Sequence, residues 1–121
     1  MSPFKGQTGL KRILNAASYS LDGLRAAFLG EAAFRQLVLL NLVLIPSAFV
    51  LDVSRGERAL MVAVCLLALI VELLNSAIEA AIDRISLERH PLSKNAKDMG
   101  SAAQFVALGM IASVWAVILL G

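Results

Sequence analysis

Three long apolar runs separated by short charged segments leave this chain few folds to choose from. They extend from about Gln36 to Leu51, from Ala59 to about Ile82 and from Met99 to Leu120. A bilayer needs about 20 apolar residues per helix, and the second and third runs reach that length. The first is short and holds Asn41 and Pro46. It either borrows Ala32 to Arg35, whose arginine can lay its stem on apolar surface and keep its head in water, or tilts and packs against its neighbours. In a chain of 121 residues that is 59% hydrophobic, with a mean hydropathy of +0.78, little remains for a soluble core. The expectation is an all-α membrane protein with a single membrane domain over residues 1–121. An N-terminal amphipathic surface helix at about 10–30 precedes transmembrane helices at 32–51, 59–82 and 99–120.

Upstream of the first run, Leu10, Ile13, Leu14, Ala17, Leu21, Leu24 and Phe28 recur at helical spacing, with Lys11, Arg12, Asp22 and Arg25 on other faces. This predicts a helix lying on the membrane surface, with basic groups and Tyr19 in the headgroup zone. No secretory signal is expected, because Lys5, Lys11 and Arg12 lead into amphipathic sequence rather than a continuous apolar core. Cationic residues also set topology. Lys5, Lys11, Arg12, Arg25 and Arg35 precede the first span, Arg55 and Arg58 follow it, and Arg84, Arg89, Lys94 and Lys97 lie between the second and third, with none after the third. The N-terminus and second loop of this multi-pass chain are therefore expected in the cytoplasm and the C-terminus outside.

A formal net charge of +2 and a pI near 9.0 do not indicate nucleic acid, since the cations are scattered without aromatic stacking partners. Cys65, the single cysteine, stands in an apolar run without metal-ligand spacing and reads as a small buried hydrophobe.

The segment VELLNSAIEAAIDR, Val71 to Arg84, puts carboxylates inside the second run. At about 100° per residue, Glu72, Ser76, Glu79 and Asp83 share a helix face, with Asn75 beside it. A carboxylate at the centre of a membrane helix is unfavourable by about 2.5 to 3.5 kcal/mol, against about 0.3 to 0.6 gained per Leu, Ile or Val. Packing alone gives no reason to accept that penalty. If the helix starts at Ala59 on the outer side, Glu72 lies about 20 Å along it and Glu79 about 30 Å. Glu79 then reaches the cytoplasmic interface, whereas Glu72 stays about 10 Å inside.

Depth gives these carboxylates different chemistry. Glu72, stripped of much of its water, is the candidate general base for a hydroxyl at its own level. Glu79 and Asp83, with Glu31 just before the first span, offer oxygen ligands to a hard divalent cation. Arg12, Arg25, Arg84, His90 and Lys97 can neutralise phosphate near the same surface. Base, cation ligands and phosphate ligands together suggest phosphoryl transfer to a lipid hydroxyl.

Other readings of the same residues stay open. An acidic membrane helix also serves a small proton or cation transporter, or an assembly subunit that pairs with a basic partner. Asn75 and Ser76 can be hydrogen-bonding glue between helices, His90 a solvated loop residue, and Asp83 with Arg84 a weak interfacial pair. Trp115 packs or anchors at the outer leaflet, and Ala103, Ala107, Gly109, Ala112, Ser113 and Ala116 permit close helix contact. Neither G-x-G-x-x-G nor G-x-x-x-x-G-K-[ST] occurs, so a nucleotide site would be unconventional.

Three blocks carry a family resemblance. RILNAASYSLDGLRAAFLGEAAFRQ (Arg12 to Gln36), VELLNSAIEAAIDR (Val71 to Arg84) and AKDMGSAA (Ala96 to Ala103) resemble the signature blocks of the prokaryotic diacylglycerol kinases, in the same order and spacing. The resemblance covers nearly the whole chain from Leu10. It implies a small integral-membrane kinase that moves the γ-phosphoryl group of ATP to diacylglycerol, as a homotrimer whose active sites are shared between protomers. It further implies Glu72 as general base, Glu31 and Glu79 as Mg²⁺ ligands, and nucleotide contacts from Arg12, Tyr19, Glu88, Arg89, His90, Lys97 and Asp98. Substrate contacts would involve Arg12, Ser20, Arg25, Arg35, Gln36, Glu72 and Ser101, with Asn75 and Asp83 in support. A sister branch phosphorylates undecaprenol instead. The chain departs from familiar members at Leu37, where an acidic residue is frequent, and at Leu21 and Asp22, where an aromatic and a basic residue are familiar.

Overall fold

The computed structural model describes residues 8–121, so Lys5 of the topology count lies outside the described residues. Four helices follow in chain order: α1 (Gly9–Gly30), α2 (Ala32–Val50), α3 (Arg55–Ile85) and α4 (Pro91–Leu120). No strand occurs among the described residues. Helices α2, α3 and α4 are each long and apolar enough to cross a membrane. Both α3 and α4 continue past their apolar stretches, carrying Asp83, Arg84, Lys94 and Lys97 on helical backbone rather than in loops.

Local chemistry places the helix ends. Glu31 alone separates α1 from α2, in extended conformation at φ −124° and ψ 111°. Arg35, one turn into α2, donates through Nη1 to the carbonyls of Phe28 at 2.8 Å and Leu29 at 3.2 Å. Those are C-terminal carbonyls of α1 without helical donors, so the arginine closes the corner between surface helix and span. Helix α2 runs through Pro46, which has no N–H to donate and is tolerated because α2 packs on α3. At the far end, Arg58 donates to the carbonyls of Ala48 at 2.8 Å, Leu51 at 3.2 Å and Val53 at 3.4 Å. A capping box starts α3: Ser54 Oγ accepts from the Glu57 N–H at 3.1 Å, and Glu57 Oε1 accepts from the Ser54 N–H at 2.9 Å. His90 caps α4, its Nδ1 accepting from the Leu92 N–H at 3.1 Å, and Pro91 occupies the first helical position.

Packing centres on the antiparallel seam between α3 and α4, with α2 against α3. Leu37, Val64, Cys65, Ala68, Ala107 and Ile111 form the buried cluster. Cys65 is free and fully buried, as a small hydrophobe is. Asn41 is buried in α2 and donates through Nδ2 to the Cys65 carbonyl at 3.0 Å, which answers for a polar residue inside a span. Trp115 packs on the seam and donates through Nε1 to the Met61 carbonyl at 3.2 Å. Of the small residues expected to bring helices together, only Ala107 is buried within the chain; Ala103, Gly109, Ala112, Ser113 and Ala116 are exposed. A close approach occurs instead at Gly100, where a Cβ would land on Asn75 Oδ1. Outward faces are apolar, including Leu39, Leu42 and Val43 of α2 and Phe105, Val106 and Val117 of α4. Helix α1 leaves Leu10, Ile13, Leu14 and Leu21 exposed, buries Ala27, and comes close to α2 and α3 but not to α4.

Candidate active site

Helix periodicity carries the acidic stripe of α3 into two environments. Glu72, at 6% exposure, is the one buried carboxylate among the described residues. It follows Ala68 by one turn on the face that meets α4, and the side chain of Gln104 lies beside its carboxyl group. Two further carboxylates act on it: Glu79, two turns further along α3, and Glu31, at the break between α1 and α2. Glu79 also lies within electrostatic range of Lys97. Asn75 stands over Gly100 with its Oδ1 buried and without a hydrogen-bond partner. Ser76 turns toward α1 instead. With Ser20, Glu31, Leu73, Ala77 and Ala80 it lines a mostly apolar cavity of about 660 Å³ between α1 and α3.

A second cavity, also about 660 Å³, opens where α3 ends and α4 begins. Asp83, Glu88, Arg89, His90, Lys94, Lys97 and Asp98 are among its lining residues. Two ion pairs cross or rim it: Lys97 Nζ donates to Asp83 Oδ1 at 2.8 Å, and Lys94 Nζ donates to Asp98 Oδ2 at 2.6 Å. The pairing of Asp83 with Arg84 suggested by sequence is therefore corrected. Neighbouring residues on a helix diverge by about 100°, and the antiparallel register brings Lys97 to Asp83 instead.

The structure thus gathers Glu31, Glu72 and Glu79 into one electrostatic group, and Glu88, Arg89, His90, Lys97 and Asp98 around one groove. It does not bring Arg12 and Tyr19 to that groove, because α1 stays away from α4 within one chain. Ser20 lines the cavity under α1, whereas Arg25 and Gln36 are exposed on α1 and α2 and Ser101 is exposed on α4, one turn beyond Lys97. Arg35 spends its Nη1 donor on the end of α1. Leu37 sits in the core cluster, so an acidic residue there would be buried against Val64 and Ala68, while Leu21 and Asp22 are exposed on α1.

Among the described residues no three His, Cys, Asp or Glu side chains form a closed metal cage. Two hard carboxylates flanking a third, with open space beside Glu31, suit Mg²⁺, which keeps water and takes phosphate oxygens alongside one or two protein carboxylates. Sequence reasoning missed Gln104 and Gly100, whose places depend on the register of α4 against α3. An amide inside an otherwise apolar span was the available signal for Gln104.

The family model described as prokaryotic diacylglycerol kinase matches residues 18–119. A Pseudomonas aeruginosa protein named diacylglycerol kinase is 84% identical over 120 residues, covering 99% of this chain and 98% of its own. An Escherichia coli protein of the same name is 49% identical over 112 residues, covering 93% of this chain and 92% of its own. One from Haemophilus influenzae is 48% identical over 112 residues, covering 93% and 95%. With that match spanning most of its length and most of both cavities' lining residues, the chain belongs to the prokaryotic diacylglycerol kinase family.

Proposed function

We propose that this chain is a membrane-embedded kinase that transfers the γ-phosphoryl group of ATP to the free hydroxyl of diacylglycerol, giving phosphatidic acid and ADP. The observation that carries this reading is the buried Glu72, flanked electrostatically by Glu31 and Glu79, on the helix whose end opens into a groove lined by Arg89, His90, Lys94 and Lys97 together with carboxylates. The near-full-length likeness to proteins named diacylglycerol kinase supports the choice of lipid.

Glu72 accepts the proton of the lipid hydroxyl as its oxygen attacks the γ-phosphorus, and the bond from that phosphorus to the β-phosphate oxygen breaks to release ADP. Lys97, Arg89 and His90 line the groove where the nucleotide phosphates would lie, and Lys97 neutralises charge that develops there. Glu31 and Glu79 would hold Mg²⁺, which supplies charge neutralisation on the phosphate oxygens. Burial of Glu72 keeps bulk water from competing with the lipid hydroxyl.

Arg12 and Tyr19 stand apart from the groove in one chain, which favours α1 of one copy serving the groove of another, in a homotrimer if the family resemblance holds for assembly. The distribution of Lys and Arg favours the groove on the cytoplasmic side and the C-terminus outside, and the bacterial relatives favour a bacterial inner membrane as its location.

Phosphate transfer from radiolabelled ATP in mixed micelles tests the proposal, with diacylglycerol and undecaprenol compared and wild type set against Glu72→Gln. Mg²⁺-dependent labelling of diacylglycerol that falls by roughly 10²- to 10⁴-fold in the variant is expected. Preferred labelling of undecaprenol, or full activity without Glu72, would overturn it.

A further inference from the structure

Gln104 is the only amide between residues 99 and 120. Its Nε2 donates to the Ala68 carbonyl at 3.4 Å. Ala68 lies one turn before Glu72, so within α3 that same carbonyl is the helical acceptor for the Glu72 backbone N–H. Gln104 is thus moored to the turn of α3 that carries Glu72. Its Oε1 is buried and has no hydrogen-bond partner.

As with Asn41, the single bond to a backbone carbonyl leaves a buried amide oxygen without a partner, which opposes packing rather than aiding it. Leucine or methionine would fill the same space between α3 and α4 without that penalty. The group that makes an amide useful here is Glu72, whose carboxyl lies beside it, 6% exposed. The remaining charges that act on Glu72, Glu31 and Glu79, are both acidic and repel it. No cation holds it from α4.

From this geometry we infer that Gln104 is a positioning residue for the reaction: tethered at Ala68, it presents its second N–H to Glu72 and fixes the carboxylate toward the acceptor hydroxyl. The inference rests on Glu72 being the base. It touches neither nucleotide nor lipid, so its loss acts on turnover and leaves substrate binding in place.

The test is steady-state kinetics of Gln104→Met, which keeps length and flexibility, and Gln104→Leu, with Glu72→Gln measured alongside. For both Gln104 variants kcat falls roughly ten- to a hundredfold while KM for ATP and for lipid stays within about twofold. Wild-type kcat in either folded variant overturns the inference. A KM increase matching the loss in kcat, or loss of folded protein in both variants, assigns Gln104 to packing and overturns it too. Wild-type turnover in Glu72→Gln brings down the base reading and this inference together. An inactive Glu72→Gln beside a fully active Gln104→Met brings down the inference alone.

Discussion

Lys97 Nζ donates to Asp83 Oδ1 across 2.8 Å, joining the first turns of α4 to the last turns of α3 at the rim of the second-loop groove. Both side chains are about half exposed, so the bond holds the lysine in place without holding the fold together. Lys97→Met should raise the KM for ATP roughly tenfold or more, since a charge-assisted contact to phosphate is lost. Thermal stability in detergent should stay near wild type. Asp83→Asn frees the lysine and should move the ATP KM less. The reverse order between the two variants would mean that Asp83 rather than Lys97 faces the nucleotide.

Gly100 and Asn75 give a prediction whose sign is informative. Elsewhere in a helix, Gly→Ala stabilises by about 1 kcal/mol. Here the added Cβ would land on Asn75 Oδ1, and overpacking should destabilise by about 1 to 3 kcal/mol. Unfolding of Gly100→Ala in detergent measures it, and adding Asn75→Ala should recover most of the loss. A Gly100→Ala protein more stable than wild type would show that α3 and α4 do not meet there.

Arg58 should matter for stability and not for turnover. It fastens three carbonyls at the end of the bundle away from Glu72 and Lys97. Arg58→Met retains the stem but removes a donor from all three, the Leu51 carbonyl keeping only the Val53 N–H, and a loss of about 1 to 3 kcal/mol is expected by thermal unfolding. Both KM values, measured on the folded fraction, should be unchanged.

Chelation of divalent cations should stop phosphate transfer reversibly, with activity restored by Mg²⁺. Glu31→Gln and Glu79→Gln each remove a hard oxygen ligand and should raise the Mg²⁺ concentration for half-maximal activity roughly tenfold. A variant that loses kcat at saturating Mg²⁺ with an unchanged Mg²⁺ requirement would place that carboxylate outside the metal's reach.

Much of the architecture was legible in the sequence because bilayer physics is one-dimensional: apolar length marks a span, and a carboxylate inside one marks chemistry. Glu72 stood out on that ground as a candidate, and the structure buries it. Asp83 is different. Its sequence neighbour Arg84 suggested a pair, but contact across an antiparallel seam depends on register, which no local pattern encodes, and the partner is Lys97. Gly100 and Gln104 were missed for the same reason. Arg35 and Arg58 read as snorkelling or topology charges, whereas each also satisfies carbonyls at a helix end, a role visible only once the corners are built.

The seam between α3 and α4 also has a direction. Going along α3, its contacts pass from the Trp115 and Met61 bond and the apolar cluster, through Gln104 on Ala68 and Asn75 on Gly100, to the exposed pair of Lys97 and Asp83. Contacts that water can replace yield first, so the helices should fray from the Lys97 end while the Trp115 end stays shut. Backbone amides would then exchange with solvent deuterium in that order, those near Asp83 and Lys97 before those near Cys65 and Ile111. The end that breathes is the one bearing the charged groove, so a nucleotide would enter and leave without unzipping the rest of the chain.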